Sequence, residues 1–247
     1  MKPLKVLYAG DSPAGGPANY LLAILRHLKA ECRHVEPGQT LKTDFLKYPY
    51  DVIILSDYGR DKMPAASEAL IQKLVQNGAG LGMVGGWGSF SGPFGGWRGS
   101  RIEKMLPVQC LDHDDRLAFP AGAPLHREIK HPILNNLPFE AVPSICGINR
   151  VRPKAGARVA LCVRPIKSNG KEISLAKARY PLLVLTPEKS LVRSVALATD
   201  LAPHWCGGWV DWGKPRKLPV RGPIAVEVGE HYIRFVSSLI LWLARRI

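Results

Sequence analysis

The first apolar cluster, "LKVLYAG" at residues 4–10, contains a β-branched residue and ends in glycine, which predicts a β-strand. "PANYLLAILRHLKA" follows with Leu21, Leu22, Leu25 and Leu28 at helical spacing and Pro17 suited to a first turn, completing a β-α unit. "YDVIILSDYG" is apolar almost throughout, as a parallel strand covered on both faces must be. The amphipathic "AASEALIQKLVQNG" predicts a second helix stopped by Gly78 as its C-cap. The short strand "GLGMVGG" then enters an aromatic, glycine-rich loop, and "SRIE" at Ser100 to Glu103 has the form of a capping box that starts a short helix.

From about 108 to 150 the chain is rich in Pro, His and Asp without a clean period, and predicts loop-heavy structure with short strands. β-like runs resume in "ARVALCVRP", "YPLLVLTP" and "RSVALATD". Their connections are too short for helices, so some of these strands are expected to be antiparallel at one sheet edge. "EHYIRFVSSLILWLARRI" predicts a final helix with Ile233, Val236, Leu239, Ile240 and Leu243 facing the core and Trp242 beside them. There is no repeat, linker or compositional break, and one domain over residues 1–247 is expected.

Composition narrows the partners. "FVSSLILWLA" is short for a membrane span and is flanked by Arg234 and Arg245, so it predicts a packed helix and no membrane partner. In "MKPLKVLYAG" glycine and Asp11 follow the apolar run at once, unlike a cleaved signal region, and a cytoplasmic location is expected. The five cysteines are scattered without a Cys-x-x-Cys spacing, which predicts reduced thiols and no structural zinc. A formal charge of +14 is spread along the chain with mild crowding in "NRVRPKAGARVALCVRP" and "KPRKLPVR". It predicts a solvated basic surface rather than a specific nucleic-acid site.

The loop "LGMVGGWGSFSGPFGGWRGS", residues 81–100, is the most informative stretch. In several α/β enzyme families a tight turn of this kind carries a nucleophile, because glycine neighbours let the chain bend sharply enough to expose it. Here the apex is Trp87. "YDVIILSD", "GGWGSFSG" with "GGWRGS", "HPIL" at His131 to Leu134, and "ATDLAPHWCGGWVDWG" together resemble the class I glutamine amidotransferase-like superfamily, within it the group related to ThuA-like proteins. The resemblance spans most of the chain and implies a flavodoxin-like three-layer α/β/α fold with a mostly parallel sheet. It also implies a site built on a Gly-x-Cys-x-Gly turn with a His and a Glu near the C-terminal end. This chain departs from that pattern: Trp87 replaces the cysteine, Ser89 stands where the closing glycine is expected, and "HWC" begins at His204 where His-x-Glu is expected. An indole has no lone pair to attack with.

Five of the six tryptophans fall in two segments that follow strands: Trp87 and Trp97, then Trp205, Trp209 and Trp212. Either they wall a pocket at the carboxyl edge of the sheet or they serve packing and subunit contact. In the first case Trp87, Gly88, Ser89, Phe90, Trp97, Asp200 and Trp205 line a site for a small polar metabolite, a sugar or sugar derivative being the class implied, with Asp11, Ser12, Asp57 and Tyr58 at its lip. In the second case a homo-oligomer is expected. His204 is a candidate base or donor, and with Cys206 it forms the one His/Cys pair for a displaced nucleophilic route, against inert packing of that cysteine. "LDHDDR", Leu111 to Arg116, reads as a solvated turn ahead of a metal site, and "HPIL" as a turn before a strand. "AGDSPAGGP" is a glycine-rich connection that matches no phosphate loop, and no cofactor or metal is expected.

Overall fold

The computed structural model describes residues 2–13 and 16–247. The first third alternates strands and helices: β1 (Lys5–Gly10), α1 (Ala18–His27), β2 (Glu31–Val35), β3 (Val52–Ser56), α2 (Ala65–Gln76) and β4 (Gly80–Val84). The middle contains α3 (Arg101–Met105), β5 (Val108–Gln109), β6 (Arg116–Arg127), β7 (Ser144–Asn149), β8 (Arg152–Pro153) and β9 (Arg158–Val163). Then come β10 (Ile166–Ser168), β11 (Ile173–Leu175), β12 (Tyr180–Leu185), β13 (Ser194–Leu197), α4 (Pro203–Cys206), β14 (Pro215–Arg221), β15 (Ile224–Gly229) and α5 (Glu230–Leu243).

Nine strands form one sheet in the order β2-β1-β3-β4-β13-β12-β9-β6-β7. The five from β2 to β13 are parallel, in the doubly wound arrangement of flavodoxin-like folds. Each strand beyond β13 is antiparallel to its neighbour. Every residue of β3, β4 and β13 is buried, because helices cover both faces of the parallel half. The crossovers β1-α1-β2 and β3-α2-β4 step in opposite directions along the sheet, which with right-handed connections puts α1 and α2 on opposite faces. α1 buries Leu21, Ile24 and Leu25 and touches α5 and the β14–β15 hairpin. α2 packs against α3. α5 buries the expected stripe Ile233, Val236, Leu239, Ile240 and Leu243, with Trp242 in the core as well.

The three late β-runs form β9, β12 and β13, each antiparallel to the next, with the β10–β11 hairpin in the connection from β9 to β12. The stretch 108–150 is more regular than its sequence pattern predicts. It holds β6, twelve residues long, which bridges β7 and β9 across a register shift between Ala118 and Ala123. Pro120 and Pro124 within β6 erase the usual strand signature, because proline is tolerated only where the ladder is interrupted or at an edge. The same reason hides the β14–β15 hairpin, which carries Pro215 and Pro219. His131 and "PIL" form a short 3-10 turn, with the His131 ring edge-on to Trp242 at 5.2 Å. The capping box at α3 forms: Ser100 Oγ accepts from the Glu103 amide at 2.9 Å, and Glu103 reaches back to the Gly99 amide. Among the described residues no helix is long and apolar enough to cross a membrane.

Gly10 closes β1 with φ of +120°, and a Cβ added there would lie 1.6 Å from the Ser56 carbonyl oxygen at the end of β3. Gly10→Ala is therefore expected to destabilise the fold by on the order of 3 kcal/mol or more, since both the conformation and the contact oppose it. An unchanged urea midpoint would refute this account of the β1–β3 approach.

Candidate functional site

The carboxyl ends of β1, β3, β4 and β13 meet at one edge of the parallel half. Two of the residues that follow them adopt left-handed backbone, Asp11 after β1 (φ +45°) and Asp57 after β3 (φ +51°), a conformation Asp tolerates better than most residues. After β4 the chain turns through Gly86 at φ +154°, where an added Cβ would lie 2.7 Å from Asp57 Oδ1. The Asp57 carboxylate fills that notch and accepts the Gly88 amide. The Ser89 hydroxyl donates to the Val84 carbonyl at 2.5 Å and accepts the Asp57 amide at 3.1 Å, tying the end of β3 to the turn after β4.

The other side of the turn is gripped by the antiparallel half of the sheet. Asn149, wholly buried at the end of β7, accepts the Gly86 amide at 2.9 Å and donates to the Gly86 carbonyl at 3.2 Å. Its Nδ2 also donates to Asp115 Oδ1 at 2.6 Å, while Asp115 Oδ2 accepts the Ser91 amide at 2.7 Å. Burial raises the pKa of Asp115, opposed by its hydrogen bonds from Asn149 and Ser91.

Held in this way, the turn presents Trp87 to solvent with 47% of its surface exposed. Phe94 stacks near the indole at 6.3 Å, and the Arg116 guanidinium lies 4.2 Å from its ring centre. Arg116 is fixed by Asp114 through contacts of 3.0 Å and 2.6 Å. Trp87 thereby separates two clefts. One, of about 510 Å³, is lined by Asp57, Asp61, Lys62, Gly88 and Phe94 as well as Trp87. The other, of about 290 Å³, is lined by Trp87, Asp114, Arg116, Gly147 and Trp205, whose ring lies over Gly147.

An imidazole and two buried carboxyls complete the edge. Asp200, just after β13, is 3% exposed, and its Oδ1 accepts the amides of Ala202 at 3.1 Å and Cys206 at 3.2 Å. Its Oδ2 lies 2.9 Å from His204 Nε2. Asp200 raises the pKa of His204 against the effect of burial, with smaller contributions from Asp11 and Asp57. Burial raises Asp200 despite the imidazole. Asp11 accepts the Tyr8 hydroxyl at 2.6 Å. Burial pushes its pKa to about 7, the Ser56 and Tyr8 hydroxyls pulling down and Asp57 and Asp200 adding to the rise. The arrangement offers an exposed imidazole within ion-pair distance of a buried carboxyl, and a second carboxyl able to hold a proton near neutrality.

The structure thus brings Asp11, Asp57, Trp87, Asp200, His204 and Trp205 to one edge, with Ser12 partly exposed beside them; residues 14 and 15 of the same connection lie outside the described residues. Other expected lining residues are taken up elsewhere. Tyr58 is fully buried, its hydroxyl bonded to the carbonyls of Gln39 and Lys62. Trp97 is fully buried, with Nε1 on the carbonyls of Tyr58 and Gly88. Phe90 and Ser89 are buried, and the Gly88 amide is spent on Asp57. Trp209 and Trp212 pack against Phe235 and Phe139 respectively. Cys206 is fully buried, which with nearby Asp200 raises its thiol pKa well above the ordinary value, so the displaced nucleophilic route lacks a thiolate. Of "LDHDDR", Asp112, His113 and Asp114 form the solvated turn expected, but Asp115 points inward to Asn149. Among the described residues no group of three or more His, Cys, Asp or Glu is disposed to hold a metal ion. Sequence reasoning missed Asn149, Asp115, Phe94 and Arg116; the one available signal was a polar Asn ending the apolar run "SICGIN".

A family model described as "Putative glutamine amidotransferase" matches residues 17–221. No curated protein matches the chain. The solved structure of Cytoplasmic Protein STM1381 from Salmonella typhimurium LT2 has a TM-score of 0.73 at 24% identity, over 97% of this chain and 99% of that one. Cytoplasmic Protein STM3548 from Salmonella typhimurium gives 0.72 at 22% identity, over 97% and 98%. A ThuA-like protein from Bacteroides uniformis gives 0.51 at 16% identity, over 100% and 92%. At these identities the structures share the fold.

Two outcomes follow from the geometry. Asn149→Ala leaves the Gly86 amide and one Asp115 oxygen buried without partners, and is expected to cost about 3 kcal/mol in chemical denaturation; a loss below about 0.5 kcal/mol would show that the turn holds itself. Asp11 has an ordinary pKa of 3.8 and a folded value of about 7. Between those values the unfolded chain releases a proton that the fold keeps, so stability falls as pH rises from about 4 to 7 and the loss is complete above 7. Asp11→Asn is expected to flatten that decline, by on the order of 4 kcal/mol across the window; equal slopes for both proteins would remove Asp11 from the titration.

Proposed function

This chain belongs to the glutamine amidotransferase family that the match at residues 17–221 defines, and we propose that its carboxyl-edge site binds a small polar metabolite, a sugar or sugar derivative, without hydrolysing glutamine through an elbow thiol. The observation that carries this reading is the side chain of Trp87, half exposed at the apex of the turn between two clefts. An indole supplies a flat apolar face and no nucleophile. In the larger cleft Trp87 and Phe94 stand beside the carboxylates of Asp57 and Asp61. Sugars present C–H faces that lie against aromatic rings and hydroxyls that donate to carboxylates, and this lining offers both partners. A volume of about 510 Å³ suits a ligand of that size.

A second reading is favoured by the 2.9 Å contact between His204 and Asp200: His204 acts as a general base in an isomerase or lyase reaction on the same ligand, with Asp200 orienting the ring. Binding and turnover separate cleanly in one set of measurements. Titration with a panel of neutral sugars is expected to quench tryptophan fluorescence saturably, and Trp87→Ala to weaken that binding by about tenfold or more. His204→Ala is expected to leave binding within about twofold and to abolish turnover where turnover is found. Ammonia release from glutamine that stops on thiol alkylation would overturn the proposal.

A further inference from the structure

A cavity of about 710 Å³, larger than either cleft beside Trp87, lies on the face of the sheet covered by α1 and α5. Its walls come from the C-terminal end of α1, from β14 and from α5. Leu28, Leu218 and Ile233 give it an apolar surface. Glu230, Ile233, Arg234 and Ser237 line it from one stripe of α5, the spacing of three and four residues that places side chains on a common helix face.

We propose that this cavity is a second binding site, for a small organic anion of the phosphate-ester class with an apolar body. Arg216 shares the inward face of β14 with the buried Leu218, whereas Lys217 lies on the opposite face of the strand and contributes only to the rim. Arg234 is oriented by a 2.7 Å bond from Nη1 to the Asn136 carbonyl, which leaves its other N–H groups to the cavity. His27 stands at the mouth. Among the described residues none of Arg216, Arg234 and His27 has a carboxylate within ion-pair distance. Glu230, which also lines the cavity, is the opposing charge, and its Oε1 lies 4.0 Å from His231 Nε2.

The independent observation is Ser237. Its hydroxyl is buried and has no hydrogen-bond partner, an uncommon state for a polar group beneath a basic surface. A phosphate between Arg216 and Arg234 pairs both cations, and Ser237 Oγ, shut off from solvent in its present rotamer, gains a partner by turning toward it. The apolar surface takes the organic part, which distinguishes this ligand from free phosphate. The net charge of +14 raises the local concentration of such anions. The site shares no lining residue with either cleft beside Trp87.

Calorimetric titration of the full chain with phenyl phosphate tests this, with phenol and inorganic phosphate as the two halves of the probe. One saturable site is expected for phenyl phosphate, each half binding at least about tenfold more weakly. Arg216→Ala and Arg234→Ala are each expected to lower the affinity about tenfold or more, Ser237→Ala severalfold, and Trp87→Ala by nothing measurable. Arg216→Gln, which keeps most of the side chain's packing, checks that loss follows the charge. Equal binding of phenol, insensitivity to both arginine variants, or loss in Trp87→Ala would each overturn the proposal. So would competition only by a single-stranded oligonucleotide, which would mark a nucleic-acid surface.

Discussion

The buried amide of Asn149 joins the two halves of this protein. By accepting from the Gly86 N–H and donating to the Gly86 carbonyl it imitates a strand neighbour at the point where β4 leaves the sheet. Asp115 holds that amide from behind and grips the returning loop at Ser91. Side-chain hydrogen bonds of this kind, closed to water, bear more consequence when broken than their modest net contribution suggests, because each broken one strands a buried donor or acceptor. The sharp turn therefore does not rest on glycine alone. The antiparallel extension beyond β13 supplies the residue that fixes the apex of the parallel half.

That division explains why the site lies where it does. The inner parallel strands β3, β4 and β13 are buried throughout and β1 nearly so, so their polar chemistry is confined to the ends, where Asp11, Asp57 and Asp200 follow β1, β3 and β13. Burial raises the proton affinity of Asp11 and of Asp200, and for Asp11 the neighbouring Asp57 and Asp200 add a smaller contribution of the same sign. His204, more exposed, gains from the same carboxyls. Proton affinity at this edge is thus raised at an acid chiefly by burial and at an imidazole chiefly by Asp200, in a protein of strongly basic net charge.

The parallel half was legible in the sequence because its strands must be apolar throughout and its helices amphipathic; β1, α1, β3, α2, β4 and α5 follow directly from those patterns. The antiparallel extension was only partly legible. β9 and β12, like the parallel β13 beside them, announced themselves by apolar runs, whereas β6 and, outside the main sheet, the β14–β15 hairpin carry prolines at positions that the final pairing tolerates and local propensity does not. At the site, the residues following strands were found by position, but their side-chain directions were not. Tyr58, Ser89, Phe90 and Trp97 sit in the right loops and turn inward, since a tight turn needs internal anchors as well as an exposed apex. Asn149 and Asp115 lie 34 residues apart in sequence and meet only through the pairing of β6 with β7, which no local pattern encodes.

Arg116 bears on the kind of ligand that can meet Trp87. The indole face attracts cations, but a guanidinium already lies 4.2 Å from the ring centre and is held there by Asp114. A ligand ammonium approaching the same ring meets a fixed positive charge and would have to displace it from a bidentate pair. The neutral sugar of the proposed reading meets neither obstacle: it would lie against the indole edge shared with Phe94 with its hydroxyls toward Asp57 and Asp61 in the larger cleft. A carboxylate ligand meets Asp57 in that cleft and Asp200 across the edge, while Lys62, the one cation in that lining, is already paired with Asp61 at 2.7 Å. On the proposed reading Arg116 keeps ligand cations from the indole face, while Asp57, which anchors the turn through the Gly88 amide, opposes anions beside it.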